Sequence, residues 1–303
     1  MILDCDPGHD DAVAIVVAAR HADLLGITTV AGNAPLERTT HNALVMRDLL
    51  GLDVPVHSGA VRPLLEEPHT GPAAHGESGL DGADLPPPQR PLDGTDAAGY
   101  IIDTCLATDD VWLVGVGPLT NLAVALRAAP DLANRIAGIS IMGGGAFGNR
   151  TAVAEYNIWA DPEAAAVVFS SGVPMVMAGL DLTHQLLATP DRIAALRARP
   201  GRLATVLADL LTFYAAAYVE RDPTIAGAAV HDPCAVLALT HPDLFEWERR
   251  HVAIETAGRL TRGMTVIDRR TIADRPTPNC DVLTRIDASA AFAVIVEAVG
   301  AYS

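Results

Sequence analysis

Short runs rich in Val and Ile alternate with longer Ala- and Leu-rich segments along nearly the whole chain. Few architectures accept that rhythm. It is the β-α-β pattern of an α/β protein with an open, mostly parallel central β-sheet flanked by helices. Strands are expected at Ile2 to Cys5, Leu25 to Val30, Val54 to Ser58, Val111 to Val116, Ile139 to Met142, Pro174 to Ala178, Val252 to Glu255 and Val282 to Ile286. Helices are expected at Asp10 to His21, Thr39 to Leu50, Leu119 to Ala129, from Pro162 to Gly172, from Pro190, over Arg202 to Val219, around Ala235 to Leu239, and from Asp287 to Gly300. Asp161 before Pro162, and Thr189 before Pro190, are helix-start signals: an N-cap side chain followed by Pro in the first turn.

The rhythm breaks once. Arg62 to Asp96 is rich in Pro and Gly and contains the run Pro86-Pro87-Pro88. The same pattern resumes beyond it, so residues 1–303 are expected to form a single domain, with 62–96 as a loop or lid over the active face. In open α/β sheets that face is at the carboxyl ends of the strands.

Composition narrows the chemistry. The chain has 21 basic and 37 acidic residues, a formal net charge of −16, and every basic residue is Arg. Without Lys there is no Schiff-base or pyridoxal-phosphate chemistry, no P-loop and no kinase strand lysine. The acidity opposes nucleic-acid binding, which depends on neutralising phosphates, and leaves neutral substrates or substrates reached through a bound cation. No apolar run is long enough for a membrane span, Ala12 to Ala19 being typical, and the start of the sequence is unlike a secretory leader. The four cysteines, Cys5, Cys105, Cys234 and Cys280, are widely scattered, which suits reduced thiols and a cytoplasmic location.

Four clusters hold the polar chemistry. The first strand runs into Asp4-Cys5-Asp6-Pro7-Gly8-His9-Asp10-Asp11, four carboxylates within eight residues around a sharp turn. Helix capping in a solvated turn is the plain reading. Mutual repulsion among so many carboxylates favours a hard cation instead, Ca²⁺ or Mg²⁺ rather than Zn²⁺. His231-Asp232-Pro233, taken alone, reads as a capped helix start with a structural His. His75-Gly76-Glu77-Ser78-Gly79 reads as a turn in the loop. Met142-Gly143-Gly144-Gly145, followed by Asn149, Glu155 and Asn157, suits recognition of hydroxyl groups more than of phosphate.

Taken together these segments resemble the nucleoside hydrolases, in particular the inosine-uridine-preferring group. The resemblance rests on DCDPGHDDAVAI, on ITTVAGN (Ile27 to Asn33), on HGESG (His75 to Gly79), on MGGG, on VAEYNIWADPEAA (Val153 to Ala165), on GLDLTH (Gly179 to His184) and on AAVHDPC (Ala228 to Cys234). It extends from Ile2 to about Ile295. It implies a Rossmann-like fold and calcium-dependent hydrolysis of the N-glycosidic bond of ribonucleosides to ribose and free base. One Ca²⁺ would be held by Asp6, Asp11, Asp232 and the carbonyl of Val116. Asp10 would be the general base, and Asn33, Met142, Asn149, Glu155, Asn157 and Asp232 would hold the ribose. His231, and after it His75, would serve the leaving base, with Tyr218 and Tyr214 on one helical face beside it. His9 stands outside these roles, behind the residues that act.

The resemblance further implies a small-molecule ribonucleoside as the partner, no nucleic acid, no membrane, and a homodimer or homotetramer. A pyrimidine-specific ribonucleoside hydrolase and a nucleoside- or ribose-binding protein without turnover are the competing functions. A haloacid-dehalogenase phosphatase, suggested by Asp4-x-Asp6, lacks the lysine it would need.

Overall fold

Strand β1 (Ile2–Cys5) lies inside an eight-stranded sheet. The strands that join it are β2 (Gly26–Thr29), β3 (Val56–Ser58), β4 (Trp112–Gly115), β5 (Gly138–Met142) and β6 (Met175–Ala178). Further along come β7 (Leu187–Ala188), β8 (Ala228–Ala229), β9 (Phe245–Arg250), β10 (Val252–Ile254), β11 (Thr265–Ile267) and β12 (Cys280–Ile286). The main sheet has the order β3-β2-β1-β4-β5-β6-β12-β9. All its pairs are parallel except β12 with β9. This computed structural model describes residues 1–68, 75–272 and 274–302.

From β1 the chain winds outward in one direction through β2 and β3, then returns to β4 on the other side and winds the opposite way. The reversal between β1 and β4 opens a crevice at their carboxyl ends, the place where doubly wound sheets receive ligands. Successive side chains of a strand point to opposite faces, so the sheet has two cores. Leu3 and Cys5 face a core with the helices His9–His21, Arg202–Arg221, Pro233–Thr240 and Ala288–Gly300. Ile2 faces the other, with Ala97–Ala107, Thr120–Ala128 and Pro162–Phe169. Asp4 points to this second side, where Thr28 Oγ1 (2.5 Å) and Asn121 Nδ2 (2.8 Å) donate to its carboxylate.

The expected helix starts are present. Asp161 accepts from the Ala164 N–H at 3.0 Å, and Asp287 from Ser289 and Ala290. Asp161 also receives the Thr120 hydroxyl and the Leu64 N–H, which joins the start of the Pro/Gly-rich segment to the sheet's flank. Among the differences from expectation, three bear on the architecture. The helix Ala97–Ala107 directly follows the Pro/Gly-rich segment, and Asp96 caps it through the Gly99 N–H. Val252–Ile254 does not enter the main sheet but pairs antiparallel with β11. The strand next to β12 is β9, Phe-Glu-Trp-Glu-Arg-Arg, whose charged side chains conceal any apolar alternation. Such charges are usual on an edge strand, where they discourage pairing with other chains.

The helix Arg202–Arg221 is long and apolar enough to cross a bilayer by length and composition alone. Here Leu203, Leu207, Leu210, Leu211 and Tyr214 are buried inside the protein.

Within the segment 62–96, residues 69–74 lie outside the described residues. Its far end is tied down. The Arg47 side chain is fully buried, and its guanidinium donates to the carbonyls of Arg90 and Pro91 and to the Asp93 carboxylate. Asp48 accepts the Gln89 and Arg90 amides. Replacing Arg47 with Met should leave these acceptors without their buried donor. We expect a loss of about 2–3 kcal/mol of stability, as for hydrogen bonds to a charged group. Urea unfolding measures it, and an unchanged midpoint would contradict the strap.

Candidate active site

The turn after β1 sets the site. The Asp6 and Gly8 amides donate to the Asp11 carboxylate at 3.1 and 2.8 Å, which folds Asp11 back over the turn that precedes its own helix. The Asn33 amide, beyond the end of β2, donates to Asp6 Oδ2 at 2.6 Å. The Asn33 side chain bridges the Asp6 carbonyl and Asp11 Oδ2, both at 3.1 Å. Asp232, at the start of the helix Pro233–Thr240, comes in from the far end of the chain. Asp10, Asp11 and Asp232 each place a carboxylate oxygen within 4.8 Å of the others, and all three are buried.

These carboxyls resist ionisation. Burial comes first, and neighbouring carboxylates add to it, so Asp6 and Asp232 are held far above the usual range and Asp10 is raised as well. Asp11 is also raised by burial, with hydrogen bonds opposing the shift. A cation in their midst would remove the penalty, and the donors fit one. Asp6 Oδ1 is buried without a hydrogen-bond partner. Glycine is needed on both sides of that carboxylate, because a Cβ at Gly117 would sit 2.5 Å from Asp6 Oδ1 and one at Gly32 would sit 2.1 Å from Asp6 Oδ2. Carboxylate oxygens gathered this tightly suit a hard cation. The cluster that converges includes Asp10, to which the family resemblance gave proton transfer, while Asp6 stands outside this group of three.

Above the carboxylates is a cavity of about 520 Å³, lined by Asp10, Asp232 and Val116 together with Asn33, Met142, Asn149, Glu155 and Asn157. Every ribose-binding candidate from the sequence is therefore at one pocket. Several also build its wall. Glu155 caps the short helix Tyr156–Ala160, accepting from the Asn157 and Ile158 amides and from Gly144 of the glycine-rich turn. Asn157 Nδ2 donates to the carbonyls of Val116 (2.9 Å) and Met142 (3.1 Å). The Val116 carbonyl is thus a hydrogen-bond acceptor in this arrangement, as well as a pocket-lining group. Asn149 accepts the Tyr156 amide.

The other wall is aromatic. His231 Nε2 is 2.9 Å from the Tyr218 hydroxyl, which is 3.2 Å from that of Tyr214. The other nitrogen of His231, Nδ1, lies 2.7 Å from the Thr183 hydroxyl. The His231 amide donates to Asp10 Oδ2 at 3.3 Å, joining the two halves of the site. His75 is buried against Tyr214 and against His9, whose Nδ1 is 3.0 Å from His75 Nδ1. His9 Nε2 donates to the Asp81 carbonyl, so this fully buried ring fixes His75 from behind. Burial pushes the His231 ring down to about 3 and His9 to about 4, so both are neutral.

Residues that the sequence did not single out also line the cavity, among them Arg150, Tyr156, His184, Arg221 and Asp222. The helical spacing Tyr214, Tyr218, Arg221 was the available signal for one of them. Tyr156 sits beside the recognised Asn157, and its hydroxyl donates to the Gly32 carbonyl at 2.6 Å. Thr183 lay inside the GLDLTH motif without any feature to mark it.

Residues 1–293 match the family described as inosine-uridine preferring nucleoside hydrolase. The pyrimidine-specific ribonucleoside hydrolase RihB of Escherichia coli (strain K12) is 42% identical over 306 residues, covering all of this chain and 97% of that protein. Among solved structures, a purine-preferring ribonucleoside hydrolase from Gardnerella vaginalis superposes with a TM-score of 0.93 at 32% identity, covering 99% of this chain and 98% of that one. An inosine-guanosine nucleoside hydrolase superposes with a TM-score of 0.89 at 29% identity, covering 98% of each chain. The doubly wound sheet with this acidic crevice is thus the frame of an enzyme that hydrolyses N-glycosyl compounds. The chain belongs to the inosine-uridine preferring nucleoside hydrolase family, and its activity is ribonucleoside hydrolysis.

An ion bound only by the folded state stabilises that state by mass action. Exhaustive chelation should therefore lower the melting temperature by several degrees, and a re-added divalent cation should restore it. Calorimetry that finds no shift would rule out a cation among Asp10, Asp11 and Asp232.

Proposed function

We propose that this enzyme binds one Ca²⁺ and hydrolyses ribonucleosides with Asp10 as general base, preferring pyrimidine bases. The observation that carries the reading is the convergence of Asp10, Asp11 and Asp232 beside a cavity that Asp10 and Asp232 line together with His231. Asp6, Asp11, Asp232 and the Val116 carbonyl would hold the ion. Bound there, a cation would offset the carboxylate charge and make a neighbouring water easier to deprotonate.

The remaining roles fall to the protein's own side chains. Asp10 takes the proton of the attacking water. The surrounding carboxylates stabilise the positive charge that develops on the ribose in an oxocarbenium-like transition state. Asn33, Met142, Asn149, Glu155 and Asn157 receive the ribose, whose hydroxyls are neutral donors and acceptors suited to amides and carboxylates. His231 offers a hydrogen bond to the departing base, with Tyr218 bonded to the same ring nitrogen. His75 lines the cavity on the same aromatic wall, stacked on Tyr214, where it would meet the base. The pyrimidine preference is supported by the 42% identity to RihB, against 32% to the purine-preferring relative. A cytoplasmic homodimer or homotetramer fits this reading.

Two measurements test it. Asp10→Asn should lower kcat by about 10²–10⁴-fold, the usual contribution of a positioned base, while calorimetric binding of Ca²⁺ and of a ribose analogue largely persists. Wild-type enzyme should hydrolyse uridine and cytidine faster than inosine and adenosine, and each ribonucleoside faster than its 2′-deoxy analogue. Binding without release of any base would instead identify a nucleoside-binding protein.

A further inference from the structure

Thr183 ends the short helix Leu180–Thr183 that follows β6, and its side chain is fully buried. A buried hydroxyl must place its hydrogen on an acceptor or lose several kcal/mol. In a helix it commonly turns back to the carbonyl four residues earlier. Here that carbonyl, on Gly179, already accepts the Leu182 and Thr183 amides, both at 3.0 Å. The acceptor left within reach is His231 Nδ1, at 2.7 Å.

We infer that Thr183 is a positioning residue: its hydroxyl donates to Nδ1 of His231 and so holds the ring proton on Nε2, the nitrogen beside Tyr218 in the pocket. This inference rests on the proposed role of His231 at the leaving base. A neutral imidazole has one N–H, and the hydrogen bond at one nitrogen decides which atom bears it. With Nδ1 occupied as an acceptor, Nε2–H is available as a donor to the departing base. With the proton on Nδ1, the ring would present only a lone pair to a base that itself needs a donor. The contact spans 48 residues of sequence. It links the strand end at β6 to the turn after β8, so the tautomer is set by the fold and not by the neighbours of His231 in the chain.

The test separates leaving-group assistance from general disruption. Uridine releases a base that needs a hydrogen-bond donor, whereas 4-nitrophenyl β-D-ribofuranoside releases a phenolate that leaves without one. Thr183→Val should lower kcat for uridine by roughly 10–100-fold, at or below the low end of what a positioned acid or base contributes. KM for uridine and the rate with the nitrophenyl riboside should stay close to wild type. Thr183→Ser should restore uridine turnover, and His231→Ala should show the same split between substrates. Equal losses on both substrates, or wild-type uridine turnover in Thr183→Val, would overturn the inference. Should the valine variant not fold, ring-nitrogen NMR of the wild-type holoenzyme decides. A bare Nδ1 and a protonated Nε2 on His231 are expected, and the reverse overturns the assignment. Wild-type enzyme that cleaves neither riboside would defeat the functional reading itself, and the NMR result would still judge Thr183 separately.

Discussion

Removing a carboxylate from water without a counter-charge is among the largest penalties a fold can incur, and this chain gathers several around one crevice. Asp6, Asp10, Asp11 and Asp232 are all buried, with ionisation disfavoured by burial and by one another. Much of the surrounding structure serves that arrangement. Gly32 and Gly117 leave room for the Asp6 carboxylate, and Asn33 donates to three of its neighbouring oxygens. The doubly wound topology supplies the location, since β1 and β4 part where the chain changes winding direction.

The pocket above the carboxylates has two unlike walls. On one side, amides and Glu155 are locked to backbone groups of the glycine-rich turn and of the helix Tyr156–Ala160. Little rearrangement is then needed to present oxygen and nitrogen atoms to a sugar, which is the preorganisation that binding and catalysis reward. On the other side, His75, Tyr214, Tyr218 and His231, backed by His9, form a neutral aromatic wall whose polar atoms bond mainly to one another. In the proposed mechanism the cationic transition state lies over the acidic floor and the flat heterocyclic base against the rings.

The sequence was legible to different depths. The strands β1 to β6 and β12 follow from their Val- and Ile-rich runs, and the starts at Asp161, Thr189 and Asp287 from cap chemistry. The edge strand β9 escaped because its solvent-facing residues are Glu, Trp and Arg, so no alternation survives. The helix Ala97–Ala107 escaped because it begins at the end of a Pro-rich stretch, and only Asp96 marks its start. In the site, Asp6, Asp10 and Asp11 were visible because they crowd one turn. Asp232 alone looked like an ordinary helix cap, and only resemblance to a family tied it to the first motif. Arg150 and Asp222 had no local mark at all, since pocket position depends on contacts between distant segments.

Sequence by itself determined the class of fold, the absence of lysine-dependent chemistry and the first acidic turn. These follow from periodicity and residue type, which are local properties. The tertiary structure decided which carboxylates meet, that Asn157 and Glu155 brace the wall they line, and that Thr183 holds His231. Apart from the local bonds of Glu155's cap, these are contacts between segments distant in the chain, as with the 221 residues that separate the His231 amide from Asp10. Residue spacing has no bearing on such a distance; the packing of the helix Pro233–Thr240 against the helix His9–His21 brings the two together and thereby fixes it.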